Sequence, residues 1–216
     1  MPYRRTENVA RRLAARHAAI LDAARQAAGE SGMAAVQIAP VAERAGIAAG
    51  TVYRYFPGKT ELIAALLGEI CQREIAALRD AAGAAPGPLS ALSAAIITFA
   101  ARVRRQRRLA FAAIAEPVDP ALDAARLGLR KALAGEFHGL IAASITGKHL
   151  PDQDPALAAA ALLGLLVEGL IGPLAPEATG RERDIVQSIA LLALRSLGVA
   201  DARARGLVVQ TVVGSE

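Results

Sequence analysis

The sequence predicts an all-α protein with a small three-helix unit over residues 1–60, a larger helical body over 61–200 and a C-terminal tail over 201–216. Three observations lead there. Apolar residues fill 54% of the 216 positions but aromatics only 3%, and alanine dominates the apolar set. Alanine is the best helix former, whereas strands favour β-branched and aromatic side chains. Apolar residues recur at helical spacing, and Gly and Pro cut that pattern into helix-length pieces.

Each element follows from these signals. Leu13, Ala14, Ala18, Ile20, Leu21, Ala24 and Ala28 recur at helical spacing over Arg11 to Ala28, and Gly29 and Gly32 stop that helix. A second, short helix runs from Ile38 to Ala45 with Pro40 in its first turn, where a proline removes no hydrogen bond. A third runs from Ala49 to Phe56, and Pro57-Gly58 breaks the chain before a fourth from Lys59 to Ala82. The linker Gly83 to Pro88 opens the body. Helices are expected there over Leu89 to Arg105, Arg108 to Ala115, and Pro120 to Thr146, the last capped by Asp119 and closed by Gly147. Asp154-Pro155 starts another helix, which ends at Gly172-Pro173. Thr179 and Glu182 have capping-box spacing for the last, which closes at Gly198. The stretch Leu207 to Val213 reads as a short strand or an extended arm.

Several classes are set aside at this level. With a single cysteine, Cys71, no intrachain disulfide forms, and a cytoplasmic setting is expected. His17, His138, His149 and Cys71 have no metal-ligand spacing, so no metal and no cofactor is expected. Arginines run through the first sixteen residues with no apolar stretch behind them, unlike a secretory leader. Pro155 to Val167 is apolar but alanine-rich and followed by Glu168, which reads as a buried helix and not a membrane span. No nucleophile elbow, phosphate loop or paired acid-base signature points to an enzyme.

Charge is unevenly placed. Nine Lys/Arg stand against four Asp/Glu through Lys59, and that excess is the whole of the net +5. A basic segment on a neutral body is the footprint of a polyanion-binding module; a solvated basic tail is the plainer reading.

Residues Ile38 to Phe56 have the shape of a helix-turn-helix. Ile38, Val41 and Ala42 give the first helix its apolar face, Ala45 lets the helices approach, and Gly46 supplies the tight turn. Ile47 and Val52 point inward. Ala48, Ala49, Gly50, Thr51, Tyr53, Arg54 and Tyr55 then lie on the outward face of the second helix, the one that enters the major groove in such motifs.

The run from Ala45 through Lys59, followed by Glu61 and Leu62, resembles the signature of the TetR family of bacterial transcription regulators. Ile20-Leu21, Ala24, Gly32 and Val41-Ala42 fall at that family's spacings, so the resemblance covers about residues 16–63. It implies a repressor that binds duplex DNA as a homodimer at a palindromic operator and is released by a small molecule. It also implies phosphate contacts from Thr51, Tyr53, Tyr55 and Lys59, with close approach at Gly50. Arg54 is the candidate for reading a guanine edge, with a phosphate contact as the alternative. An N-terminal arm around Arg4 and Arg5 is expected to reach the backbone or minor groove. Gln37 and Ala48 stand where the family usually carries Ser or Thr and Ser, so phosphate anchoring should be weaker there. Ala48 and Ala49 offer only methyl contacts to thymine, which shifts sequence choice toward Arg54, the arm and DNA shape.

In the body, Leu162, Leu163, Leu166, Val167 and Leu170 on one helix and Ile185, Ile189, Leu192 and Leu197 on the next are expected to form a four-helix dimer interface. A pocket for an apolar effector is expected among the middle helices. Its candidate lining is Phe99, Val103, Phe111, Ile114, Phe137, His138 and Ile141. Glu168 in its apolar surroundings recognises a polar ligand group, pairs across the dimer, or reaches solvent. The arginines at 102, 104, 105, 107 and 108 form a solvated helix end or a carboxylate-binding patch. A helical lipid- or small-molecule-binding adaptor, or an enzyme, that ignores DNA is the competing class.

Overall fold

The computed structural model describes residues 3–116, 119–176 and 180–210, with side chains described from residue 9 onward. Ten α-helices make up the described part: α1 (Tyr3–Ser31), α2 (Ile38–Arg44), α3 (Ala49–Tyr53), α4 (Lys59–Gly83), α5 (Pro88–Arg105), α6 (Arg107–Ile114), α7 (Asp123–Thr146), α8 (Pro155–Leu170), α9 (Glu182–Ser196) and α10 (Asp201–Gln210). Short 3-10 turns at Met33–Ala35 and Pro120–Leu122 precede α2 and α7.

The N-terminal unit packs α1, α2 and α3 around Ile20, Ala24, Val41, Val52 and Phe56, all buried. The α2–α3 turn follows from backbone accounting at the helix end. Gly46, at φ 66°, lets its N–H reach the Glu43 carbonyl at 3.0 Å, and the Ile47 N–H reaches Ala42 at 3.0 Å. These two bonds satisfy carbonyls that a helix end otherwise leaves open. Helix α4 leaves this unit and enters the body, packing on α5 and α7.

Helix α5 is the centre of the body. Leu92, Ser93, Ala95, Ile96, Phe99 and Ala100 are all essentially inaccessible, and α4, α7, α8, α9 and α10 surround it. A helix apolar around most of its circumference is stable in water only when wrapped in this way. Phe99 meets Phe137 of α7 edge-on, with centroids 6.0 Å apart and planes at 84°. Aspartates start two elements as their spacing predicts: Asp119 accepts from the Ala121 N–H at 2.9 Å and Asp154 from the Ala156 N–H at 2.8 Å.

Five expectations need correction. The first helix begins at Tyr3, not Arg11, so Arg4 and Arg5 lie on helical backbone and not on an extended arm; their side chains lie outside the described residues. Residues 9–19 are all exposed, Leu13, Ala14 and Ala18 of the expected apolar spacing included. The third helix ends at Tyr53, and Arg54 to Phe56 continue as single turns. At the end of α7 it is Lys148, at φ 57°, that takes the left-handed position expected of Gly147. The tail is neither strand nor arm: α10 lies on α9 and α5 and buries Ala204 and Val208. Valines favour strands only where a sheet edge can pair them, and the described residues contain no strand. Finally, Arg181 occupies the N-cap of α9 without a side-chain cap bond, and the expected cap, Thr179, lies outside the described residues.

Candidate nucleic-acid interface and ligand cavity

Helix α3 is held from behind by Val52 and Phe56, both buried, which turns its other face outward. Ala48, Gly50 and Arg54 are exposed there, Tyr53 keeps 54% of its surface, and Ala49, Thr51 and Tyr55 are half-buried. Tyr55 is steadied by the His17 ring, 6.2 Å away, and His17 also lies 5.1 Å from Phe56. Lys59 is exposed on the first turn of α4. Gln37 is exposed at the N-cap of α2, but its amide already donates to the Ala34 carbonyl at 3.0 Å.

Helix α1 adds a wall that the sequence reading did not assign. Its exposed residues Val9, Arg12, Leu13 and Arg16 face the Gly46-Ile47 turn, Thr51, Arg54 and Tyr55 across an open cleft of about 740 Å³. Arg12 and Arg16 are four residues apart and so share one helix face. That spacing is the signal the sequence carries, and both arginines belong to its basic excess through Lys59. Elsewhere in this unit, charges cancel. Arg44 grips Glu30 with two bonds of 2.7 and 2.6 Å, which holds the Glu30 carboxyl below its usual range, and Arg25 does the same to Asp22 at 2.6 Å. Arg12, Arg16, Arg54 and Lys59 have no acidic partner among the described residues. The cleft therefore presents cationic groups and the hydroxyls of Thr51 and Tyr55 together. That is the donor set used on a phosphate backbone.

The body contains a small internal cavity of about 30 Å³, enclosed by α4, α5, α6 and α7. Phe99, Val103 and Ile114 line it, joined by Ile70, Leu109, Ala113, Leu129 and Leu133, which were not among the candidates. The lining residues that keep solvent access are Glu74, Arg102, Gln106 and Ala110, which mark its mouth. Phe137 and Ile141 are fully buried but do not line it, Phe111 is 38% exposed, and His138 is exposed. Glu168 is not in the lining either. Its carboxylate accepts from the Leu174 N–H at 2.9 Å, and it packs directly against Gly172. It closes the end of α8.

The proposed dimer residues divide. Leu162, Leu163, Leu166, Val167 and Leu170 are at most 8% exposed within the single chain, and Leu197 is 4% exposed. They are core, those of α8 where it packs on α7, and are unavailable to a second copy. The outer face of α8 carries Leu157, Ala160, Ala161, Gly164 and Leu165 instead. On α9, Ile185 and Ile189 are half-buried and Leu192 is 52% exposed. Helices α8 and α9 touch where Gly169 meets the end of the Ile189 side chain.

Two further observations bear on chemistry. The Cys71 thiol is buried, and burial, aided by the Glu136 charge, pushes its pKa up, the opposite of an activated nucleophile. Among the described residues no group of His, Cys, Asp and Glu is arranged to hold a metal, and no helix is long and apolar enough to cross a membrane.

Comparison with known proteins agrees with this geometry. Residues 20–66 match the family model described as bacterial regulatory proteins, tetR family. The chain is 48% identical over 68 residues to the HTH-type transcriptional repressor KstR of Mycolicibacterium smegmatis, covering 32% of this chain and 33% of that one. It is 51% identical over 49 residues to KstR of Mycobacterium tuberculosis, covering 23% and 22%. The match thus spans a third or less of either repressor's length. Among solved structures, the fatty acid degradation regulator FadR of Bacillus halodurans superposes with a TM-score of 0.74 at 21% identity, covering 86% of this chain and 97% of that one. RolR in complex with resorcinol superposes at 0.64 and 21% identity, covering 95% and 98%. FadR of Bacillus subtilis in complex with stearoyl-CoA does so at 0.62 and 18%, covering 92% and 98%. At these identities the structures share the fold.

Proposed function

We propose that this chain, a member of the tetR family of bacterial regulatory proteins through its residues 20–66, is a ligand-responsive transcription repressor: a homodimer bound to a palindromic operator and released when a small molecule enters the body. The observation that carries the reading is the cleft between α1 and α3, where Arg12, Arg16 and Arg54 meet two hydroxyls and pair with no acid among the described residues. In this reading α3 enters the major groove. Arg54 grips a base edge or its neighbouring phosphate. Tyr53, Tyr55, Thr51 and Lys59 hold the backbone, and Gly50 lets the duplex come close. Arg12 and Arg16 extend the backbone contacts beyond the motif. The matched relatives are named repressors and not enzymes.

The second copy covers the outer face of α8 and α9. Exposed Leu157 and Leu192, with half-buried Leu165 and Ile189 and small residues between them, let helices approach closely and bury apolar surface. Two recognition helices then meet successive major grooves about 34 Å apart.

The effector enters the cavity under α6. At about 30 Å³ the cavity holds little more than one water, so any organic ligand must push its walls apart. Helix α6, eight residues long, is the shortest wall. Just beyond its end, Glu116 accepts from the Met33 N–H of the DNA-binding unit at 2.9 Å. On its other side Arg126 of α7 donates to the Ala112 carbonyl at 2.7 Å. Displacement of α6 or α4 reaches the N-terminal unit through these contacts, and a ligand that favours the displaced state shifts the dimer off its operator. That proteins of this fold are recorded with resorcinol and with stearoyl-CoA supports a body that takes ligands of different sizes.

Selection of bound sequences from a random duplex pool, followed by affinity at two salt concentrations, tests the reading. A palindrome is expected. Arg54→Ala should weaken binding by roughly ten- to a hundredfold, and Arg16→Ala should weaken it evenly across sequences and lower the salt slope by about 0.9. No enriched motif, or binding indifferent to salt, overturns it.

A further inference from the structure

We propose that the mouth of the body cavity is an anion site and that the effector is an organic anion with an apolar body, its oxyanion seated on Arg102. This deepens the effector reading above and rests on it. The buried walls of the cavity are apolar, and its polar side chains are those of Glu74, Arg102 and Gln106 at the open end. Such a site takes a molecule that is apolar along its length and polar at one end.

Arg102 decides the sign of that end. Its Nε and Nη2 donate to the two carboxylate oxygens of Glu74 at 2.9 and 2.7 Å, so Glu74 covers one edge of the guanidinium. A guanidinium has five N–H donors on a planar fork. The edge formed by Nη1 has no partner among the described residues, and the side chain keeps 34% of its surface. Glu74 thus orients Arg102 without saturating it, and the free edge matches a second carboxylate or a phosphate oxygen pair.

The surrounding charge favours the same ligand. Of the five arginines within residues 102–108, Arg102 is the one that lines the cavity. Glu74 answers it along one edge, and Arg107 turns away to the Leu170 carbonyl at 3.3 Å. A cationic ligand would meet the Arg102 guanidinium unfavourably, and a neutral one would leave its Nη1 edge unanswered. An anion is drawn to the mouth and then desolvates its apolar part in the cavity.

The test is a melting series on the full chain with matched acid and alcohol pairs at equal ionic strength: hexanoate and hexanol, decanoate and decanol, benzoate and benzyl alcohol. At least one carboxylate should raise the melting temperature well above the shift from its alcohol. Arg102→Gln should weaken that carboxylate about tenfold or more and leave the alcohol unchanged, Arg102→Lys should retain part of the preference, and Glu74→Gln should strengthen it. Equal stabilisation by acid and alcohol, indifferent to these substitutions, overturns the anion site and keeps an apolar effector cavity. No stabilisation by any pair, in protein that still binds its selected operator, overturns the effector cavity along with it. Loss of operator binding itself would instead strike the repressor reading.

Discussion

Three helix ends in this chain use one backbone device, in which a residue at positive φ lets two successive N–H groups fold back onto open carbonyls. Gly46 does this at φ 66° and Gly198 at φ 91°, while at the end of α7 the position falls to Lys148 at φ 57°. There the Lys148 N–H reaches Ile145 and the His149 N–H reaches Ser144, both at 2.9 Å. A side chain in this conformation is strained, and glycine is not. Lys148 is exposed, so nothing else is lost on replacement. Lys148→Gly should therefore raise stability by about 0.5–1 kcal/mol, less than the strain alone because glycine also loosens the unfolded chain. Thermal melting checks it: a rise of about 1–4 °C is expected for a chain of this size, and a fall would refute the strain argument. Gly32, at φ 84°, is constrained twice over, since a Cβ there would lie 2.9 Å from the Glu116 carboxylate.

At the scale of elements, α6 is the part whose position both regions of the molecule share. It walls the cavity with Leu109, Ala110, Ala113 and Ile114, packs against α1, and hands the chain to Glu116 and its bond to Met33. A carboxylate bonded to a part-buried backbone N–H is stronger than a neutral hydrogen bond, and removing it leaves the donor unsatisfied. Ala113→Leu, which fills the cavity as a ligand would, should weaken operator binding in the parent chain. In a Glu116→Ala background the same substitution should cost at least about threefold less, as expected for coupled sites. An operator titration of the four proteins, with their melting curves to confirm folding, measures this. An equal cost in both backgrounds removes Glu116 from the coupling.

For the whole molecule, the distinction between core and interface on α8 is the sharpest consequence. Leu162 is buried within one chain, whereas Leu157 and Leu192 are 69% and 52% exposed. Leu162→Ala should cost about 2–5 kcal/mol of stability and leave self-association unchanged. Leu192→Asp should do the reverse, lowering the dimer fraction seen by sedimentation with little change in the stability of the single chain. The opposite pattern would place the interface on Leu162 and its buried neighbours on α8.

Helix α8 shows how far the sequence reaches. Helix α8 has two apolar stripes at helical spacing, one through Leu162, Leu163, Leu166, Val167 and Leu170, the other through Leu157, Ala161, Gly164 and Leu165. Periodicity reveals both and cannot say which one faces the chain's own core. The same gap explains Glu168 and Phe137, whose types fit a pocket but whose neighbours, Leu174 and Phe99, are set by packing. It also explains Arg12 and Arg16, which became part of a cleft only once α1 was placed beside α3.

By itself the sequence determined the helical class, the order and ends of most helices, the helix-turn-helix and the outward face of α3. All of these depend on interactions among residues a few positions apart: alanine's propensity, capping aspartates, the positive φ of Gly46 and the spacing of Val52 and Phe56. The tertiary structure alone decided which stripe of α8 is free, that the tail folds as α10, where the cavity opens, and that Glu116 meets Met33 across 83 residues of chain. Each of these is a contact between segments distant in sequence. Its energy comes from burial and geometry that no local pattern encodes.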